Sequence, residues 1–257
     1  MIVDANAYCG RWPFRRLSFA DASGLSALLP RSGASVALVT PIAVAFYRDC
    51  LSAVEEMLED PGWETPLMLP IGAVNPCFPG WQQDLETMAR DLGCLGIRLL
   101  PNYHGYQLCA EEALALVRTV HDLGLPVVIT MRMQDERSHH WRMPVPAVPV
   151  DDVRFLLREL PRGRYVLSNV SWYEVQALRP ELDMVEEAAW EMSYKPPASY
   201  LEQAVRMLGS ERVLYGSGAP LQYPEAALLV VEQARISDDD KARILGGNAR
   251  RVFGLGG

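Results

Sequence analysis

Pro126-Val127-Val128-Ile129-Thr130-Met131-Arg132-Met133-Gln134 is the stretch that decides the fold. Val127, Val128 and Ile129 are β-branched and continuous, as in a strand buried on both faces. Thr130, Arg132 and Gln134 then share one face of the two-residue period, with Met131 and Met133 on the other. Asp135-Glu136-Arg137-Ser138-His139-His140 follow at once. A strand that turns polar at its carboxyl end and opens into a charged loop marks the ligand-binding end of a parallel α/β protein. Thr130 and Arg132 lie inside the strand pattern, where solvation explains them poorly.

Working outward, further β-rich runs begin near Ile2, Ser35, Leu67, Leu95, Tyr165, Asp183 and Arg212. Amphipathic segments separate them at 45–59, 81–92, 111–123, 150–160, 199–208 and 224–234, with shorter ones at 21–29 and 172–178. Eight strands, each followed by a crossover, predict a (β/α)8 TIM barrel over residues 1–257. A doubly wound open sheet would want a glycine-rich phosphate turn after its first strand. Asp4-Ala5-Asn6-Ala7-Tyr8-Cys9-Gly10 does not supply one. Ser237 before Asp238, Asp239 and Asp240 suits a helix start. Gly246-Gly247-Asn248 is expected to break that helix, leaving a C-terminal helical tail on a single domain. Residues 133–149, with three prolines, form the longest irregular stretch, and loops of that length usually serve function.

Composition narrows the classes. The formal charge is −8 and 49% of the 257 residues are apolar, which allows a large core and argues against nucleic acid as a partner. No apolar run reaches the ~18 residues of a membrane span. The opening Met1-Ile2-Val3-Asp4 lacks a signal-peptide pattern, and five unpatterned cysteines suit reduced thiols, so the expectation is cytoplasmic.

Several segments resemble the amidohydrolase-related family of metal-dependent hydrolase and decarboxylase barrels. Ile2-Val3-Asp4-Ala5-Asn6-Ala7-Tyr8 is similar to its first strand, and Gly96-Ile97-Arg98-Leu99-Leu100-Pro101 to its fourth. Arg212-Val213-Leu214-Tyr215-Gly216-Ser217-Gly218-Ala219-Pro220 resembles the eighth, and Ile244-Leu245-Gly246-Gly247-Asn248-Ala249-Arg250-Arg251 the closing motif. The resemblance implies a metal held by a His-x-His pair, two further histidines and an aspartate. Those positions here read Asn6 and Tyr8, Thr130, Asn169, and Gly218. None offers an imidazole or carboxylate. The expectation is therefore a metal-independent protein without a cofactor, taking a small-molecule substrate; the resemblance also admits a homodimer.

The candidate substrate-binding set is Asn6, Tyr8, Arg98, Tyr103, Thr130, Arg132, Asn169, Trp172 and Ser217. Arg98 and Arg132 stand out, because a guanidinium matches a carboxylate two bonds at a time. Structural ion pairs with Asp4, Asp135 or a strand-seven glutamate are the alternative. The candidate proton carriers are Asp4, His104, Asp135, His139 and Glu187, by pKa tuning of carboxylates or the neutral-pH titration of histidine. Three readings follow: a divergent hydrolase or lyase on a polar or carboxylate-bearing metabolite, a non-catalytic binding or accessory barrel, and an enzyme with a metal relocated to His104, His139 and His140.

Overall fold

The computed structural model describes residues 1–194 and 197–256. Its strands are β1 (Ile2–Cys9), β2 (Ala34–Pro41), β3 (Met68–Pro70), β4 (Gly72–Ala73), β5 (Ile97–Leu99), β6 (Val127–Thr130), β7 (Arg164–Ser168), β8 (Glu187–Glu191) and β9 (Val213–Leu214). Neighbours pair in chain order and in parallel. β3 and β4 are two pieces of one barrel strand, parted at Ile71, whose N–H donates to Val39 O at 2.8 Å. Closure comes from the pairing of Ala7 with Ala219 and from Gly218 N donating to Asn6 O at 2.8 Å. The result is the predicted eight-stranded TIM barrel.

Helices fill the crossovers. Trp81–Arg90, Glu111–Asp122, Val150–Glu159, Ala198–Leu208 and Pro224–Gln233 agree with the sequence periodicity to within two residues. Two boundaries need correction. The helix expected from residue 45 begins at Cys50, because Asp49 caps it by accepting from Ser52 N. The strand expected near Asp183 begins at Glu187, because Arg179–Met184 is itself helical.

Most buried apolar side chains pack between strands and helices. A second layer fills the lower lumen, where Val3, Leu38, Val128, Val166 and Leu214 meet Val252 and Phe253 of the tail. Ser237 caps the tail, its side chain accepting from Asp240 N. The expected break at Gly246 does not occur: a π-helical turn, Arg243–Gly247, runs straight into Asn248–Phe253. Gly246 is instead a close-approach glycine, since a Cβ there would lie 2.4 Å from Met1 O. Among the described residues no helix is long and apolar enough to cross a membrane.

Candidate functional site

β1 sets the site by a change of parity. Asp4 pairs with Ala37 and Ala7 with Val39, so one extra residue of β1 bulges between them. Below the bulge Val3 and Ala5 join the apolar lumen. Above it Asn6 and Tyr8 reach Arg98.

Arg98, on β5, is fully buried at the carboxyl end of the lumen. Its Nε donates to Thr40 Oγ1 at 2.9 Å. Nη1 lies 2.9 Å from Thr130 Oγ1, 3.1 Å from Ser168 Oγ and 3.1 Å from Tyr8 Oη. Nη2 donates to Asn6 Oδ1 at 2.9 Å. The guanidinium also sits 4.9 Å from the Tyr8 ring centroid.

The balancing charge is Glu191, fully buried at the end of β8. It accepts from Ser193 N at 2.6 Å, Ser193 Oγ at 2.8 Å, Ser168 Oγ at 3.0 Å, Asn6 Nδ2 at 3.2 Å and, closely, Asn169 N. Burial pushes its carboxyl above the usual range, against the pull of those donors. Asn6 and Ser168 touch both charges, so Arg98 and Glu191 are coupled through two neutral side chains. Gly216 makes the space: a Cβ there would meet Glu191 Oε2 at 2.2 Å. Asn169 takes a left-handed φ of 50° and donates from Nδ2 to Tyr8 Oη at 3.2 Å.

Asp4 lies just below, also fully buried. Its Oδ1 accepts from Ser217 N at 2.9 Å and Asn6 N at 3.1 Å, while Oδ2 has no partner among the described residues. Burial pushes its carboxyl up to about 7. Ser217 is turned inward, its Oγ accepting from Ala219 N at 2.9 Å.

Other candidates do not join this cluster. Arg132 forks onto Glu174, with Nη1 to Oε2 at 2.9 Å and a second, shorter bond, and donates to Asn169 O at 2.9 Å. It also lies 4.8 Å from the Tyr194 ring centroid. Burial raises the Glu174 carboxyl, but Arg132 and the Ser171 cap outweigh it and hold it below the usual range. The anion anchor read from the sequence is thus an internal ion pair. Trp172 packs in the outer core near Trp190, 6.3 Å between centroids. Tyr103 meets Phe46 edge-on at 6.0 Å. His104 Nε2 is 2.8 Å from Val44 O, and burial lowers its pKa. Asp135 caps a short turn and is held at about 2 by Arg137. Glu187 is corrected outright: it starts β8, at the end opposite the mouth, and pairs with Arg251. The relocated metal site is not assembled either; among the described residues no three His, Cys, Asp or Glu side chains converge.

Space remains above the Arg98 cluster. A cleft of about 460 Å³ lies at the rim, lined among others by Arg15, Gln134, Arg137, Ser138, Tyr194 and Gln222. Gln222 Nε2 reaches down to Asn169 Oδ1 at 3.4 Å, which joins the cleft floor to the cluster. A larger groove of about 1210 Å³ between residues 9–24 and helix Cys50–Leu58 includes none of the polar lumen residues.

The family model described as Amidohydrolase matches residues 43–255. The chain belongs to the amidohydrolase family. No curated protein matches it. Among solved structures it is similar to 5-carboxyvanillate decarboxylase from Sphingomonas paucimobilis, at 13% identity and a TM-score of 0.73, covering 99% of each chain. It is also similar to a dihydroxybenzoic acid decarboxylase from Polaromonas sp. JS666 with bound manganese and 2-nitroresorcinol, at 16% identity and TM-score 0.75, covering 99% of this chain and 97% of that one. A third is an uncharacterized TIM-barrel protein from Bordetella bronchiseptica, at 15% identity and TM-score 0.74, covering 98% of both.

The manganese in the Polaromonas protein overturns metal independence as a description drawn from the family. The local donor set is a separate matter. Asn6, Tyr8, Thr130 and Asn169 bond to one another or to Arg98, and a guanidinium lies among them. A cation beside that guanidinium would be repelled, so these residues do not fit a divalent ion at that place.

The sequence reading missed Glu174, Thr40, Ser168 and Ser193, and among the strand-seven glutamates it selects Glu187 where the structure uses Glu191. Ser168-Asn169 at the end of a strand and Glu191-Met192-Ser193 at the end of the next carry the same polar alternation as Thr130 and Arg132. That alternation was the available signal.

Proposed function

We propose that this chain is a small-molecule-binding member of the amidohydrolase family that takes a small aromatic acid in its rim cleft, above a lumen closed by its own side chains. The observation that supports this most is Arg98. Its donors face Thr40, Tyr8, Thr130, Ser168 and Asn6, with no exposure to solvent. A carboxylate binding there would have to displace buried, satisfied partners. The cleft above asks no such cost. Arg137 spends Nε and Nη2 on Asp135, and Arg15 donates one Nη2 bond to Leu221 O. Each has further N–H groups for an anion. Tyr194 and Tyr223 add ring faces, and the volume falls within the ordinary range for small ligands.

The test is a thermal-shift panel of benzoate and dihydroxybenzoates. Benzoates should raise the unfolding midpoint in a saturable way, and the paired change Arg15→Ala with Arg137→Ala should abolish the rise. An unchanged rise in that double variant would remove the cleft from the reading.

A catalytic reading has one observation in its favour, the near-neutral pKa of Asp4 with its unpartnered oxygen. It requires turnover of a benzoate, with or without added manganese, whose pH profile breaks near 7 and loses that break in Asp4→Asn.

A further inference from the structure

Beneath residues 133–149 a narrow gap lies between that segment, Trp12 and Phe14, and Tyr103. As it stands it leaves no room for a water molecule. Two of its lining residues carry a buried polar atom that has no partner among the described residues: Gln134 Oε1 and His139 Nε2. Gln134 is 5% exposed and lines both the gap and the rim cleft, so the two spaces adjoin.

The two orphaned atoms have opposite roles. His139 Nδ1 accepts from Val145 N at 3.3 Å, so in the neutral ring the proton sits on Nε2, which is a donor. Gln134 points its amide nitrogen at Ser138 O, 3.4 Å away, which leaves Oε1 as an acceptor. Aromatic rings of Trp12, Phe14, Tyr103 and His140 form the walls, and among the described residues no Arg, Lys, Asp or Glu lines the gap. A charged ligand would lose its hydration there without compensation.

We propose that this gap is a second subsite, continuous with the rim cleft, that opens to take a neutral planar ring carrying one hydrogen-bond donor and one acceptor. The ring's donor meets Gln134 Oε1 and its acceptor meets His139 Nε2, while its faces lie against the aromatic walls. Opening parts a ring contact and the Asn102 Nδ2 bond to Pro146 O, at 2.5 Å, rather than a sheet. His140 stacks on Phe14 at 5.3 Å and 24° and on Trp141 at 5.8 Å and 26°. The far end of the segment stays anchored by Val148 N on Met131 O at 2.9 Å. Both orphaned groups regain a partner when the ring enters, which favours the open, occupied state over an open, empty one.

The inference rests on the mouth being the ligand-binding end, but its test is separable from that of the cleft. Protein with ¹³C-labelled histidine is titrated with 2-pyridone, N-methyl-2-pyridone and benzoate, and the His139 ring signal is assigned with His139→Gln. 2-Pyridone should move that signal saturably. N-methyl-2-pyridone, which lacks the donor, should bind about tenfold more weakly. Gln134→Leu should bring the two affinities together. No saturable change at His139 with 2-pyridone, or equal binding of the two pyridones by the unsubstituted protein, overturns the subsite. That comparison needs no variant. If benzoate keeps its Arg15- and Arg137-dependent thermal shift while 2-pyridone leaves His139 unmoved, the subsite falls and the cleft reading stands. The reverse result ends the cleft reading alone.

Discussion

The polar lumen and the rim above it occupy the same end of one barrel, yet their hydrogen-bond accounts differ. In the lumen Arg98 and Glu191 share Asn6 and Ser168, and five acceptors surround one guanidinium. At the rim Gln134 and His139 leave polar atoms without partners among the described residues, and Arg137 is largely exposed. The Arg98–Glu191 network is satisfied and fixes the structure, although Asp4 Oδ2 beneath it has no partner among the described residues; unsatisfied groups at the rim have something left to bind. Residue type alone would have given the opposite ranking, because a buried arginine at a strand end looks like an anion anchor.

The sharpest way to break this contrast is Arg98→Met. It leaves Glu191 as an uncompensated buried charge, so denaturant unfolding should show a loss of about 4 kcal/mol or more. If stability is unchanged while ligand binding disappears, Arg98 belongs to the site and the contrast fails.

Asp4 gives a pH-dependent effect of comparable size. Its folded pKa, about 7, exceeds the ordinary 3.8, so the folded chain holds a proton that the unfolded chain releases. The associated stability is present below pH ~4 and is lost as pH rises towards 7, a change on the order of 4 kcal/mol. Asp4→Asn should flatten that slope and raise the unfolding midpoint at pH 8 relative to the unsubstituted protein. Parallel pH profiles for the two proteins would show that Asp4 is not the titrating group.

Glu174→Gln should cost less, about 2 kcal/mol, since it weakens the charged fork to Arg132 and keeps a neutral acceptor in place. Smallest in stability is Arg137→Ala, which should leave the unfolding midpoint where it is but weaken benzoate binding measured by calorimetry. A variant that unfolds early would move Arg137 from the rim's account to the lumen's.

Much of the barrel was legible because periodicity is local. Val127 to Thr130 and the helices from Trp81 onward declare themselves within a few residues. Ser237 likewise signalled its cap, and Ser237 Oγ accepts from Asp240 N. The site was legible as a set of positions but not as a set of bonds. Arg98 finds Asn6 across 92 residues, and Arg132 finds Glu174 across 42. No spacing rule connects such pairs. The β1 bulge was also hidden: a strict two-residue period would put Asp4, Asn6 and Tyr8 on one face, whereas the extra residue carries Asn6 and Tyr8 to Arg98. A strand starting near Asp183 places Glu187 towards its tip; because Arg179–Met184 is helical, the strand starts at Glu187 and Glu191 is its tip. The four-residue error exchanged the strand's foot for its tip.

Gly216 carries a consequence for anyone who wishes to redesign this barrel. Its missing side chain is the seat of the Glu191 carboxylate, and that carboxylate in turn orients Asn6, Ser168, Asn169 and Ser193. A stepwise library that samples one position at a time will therefore meet a dead end at each of them. New chemistry at these strand tips has to be installed as a block, with position 216 diversified in the same round.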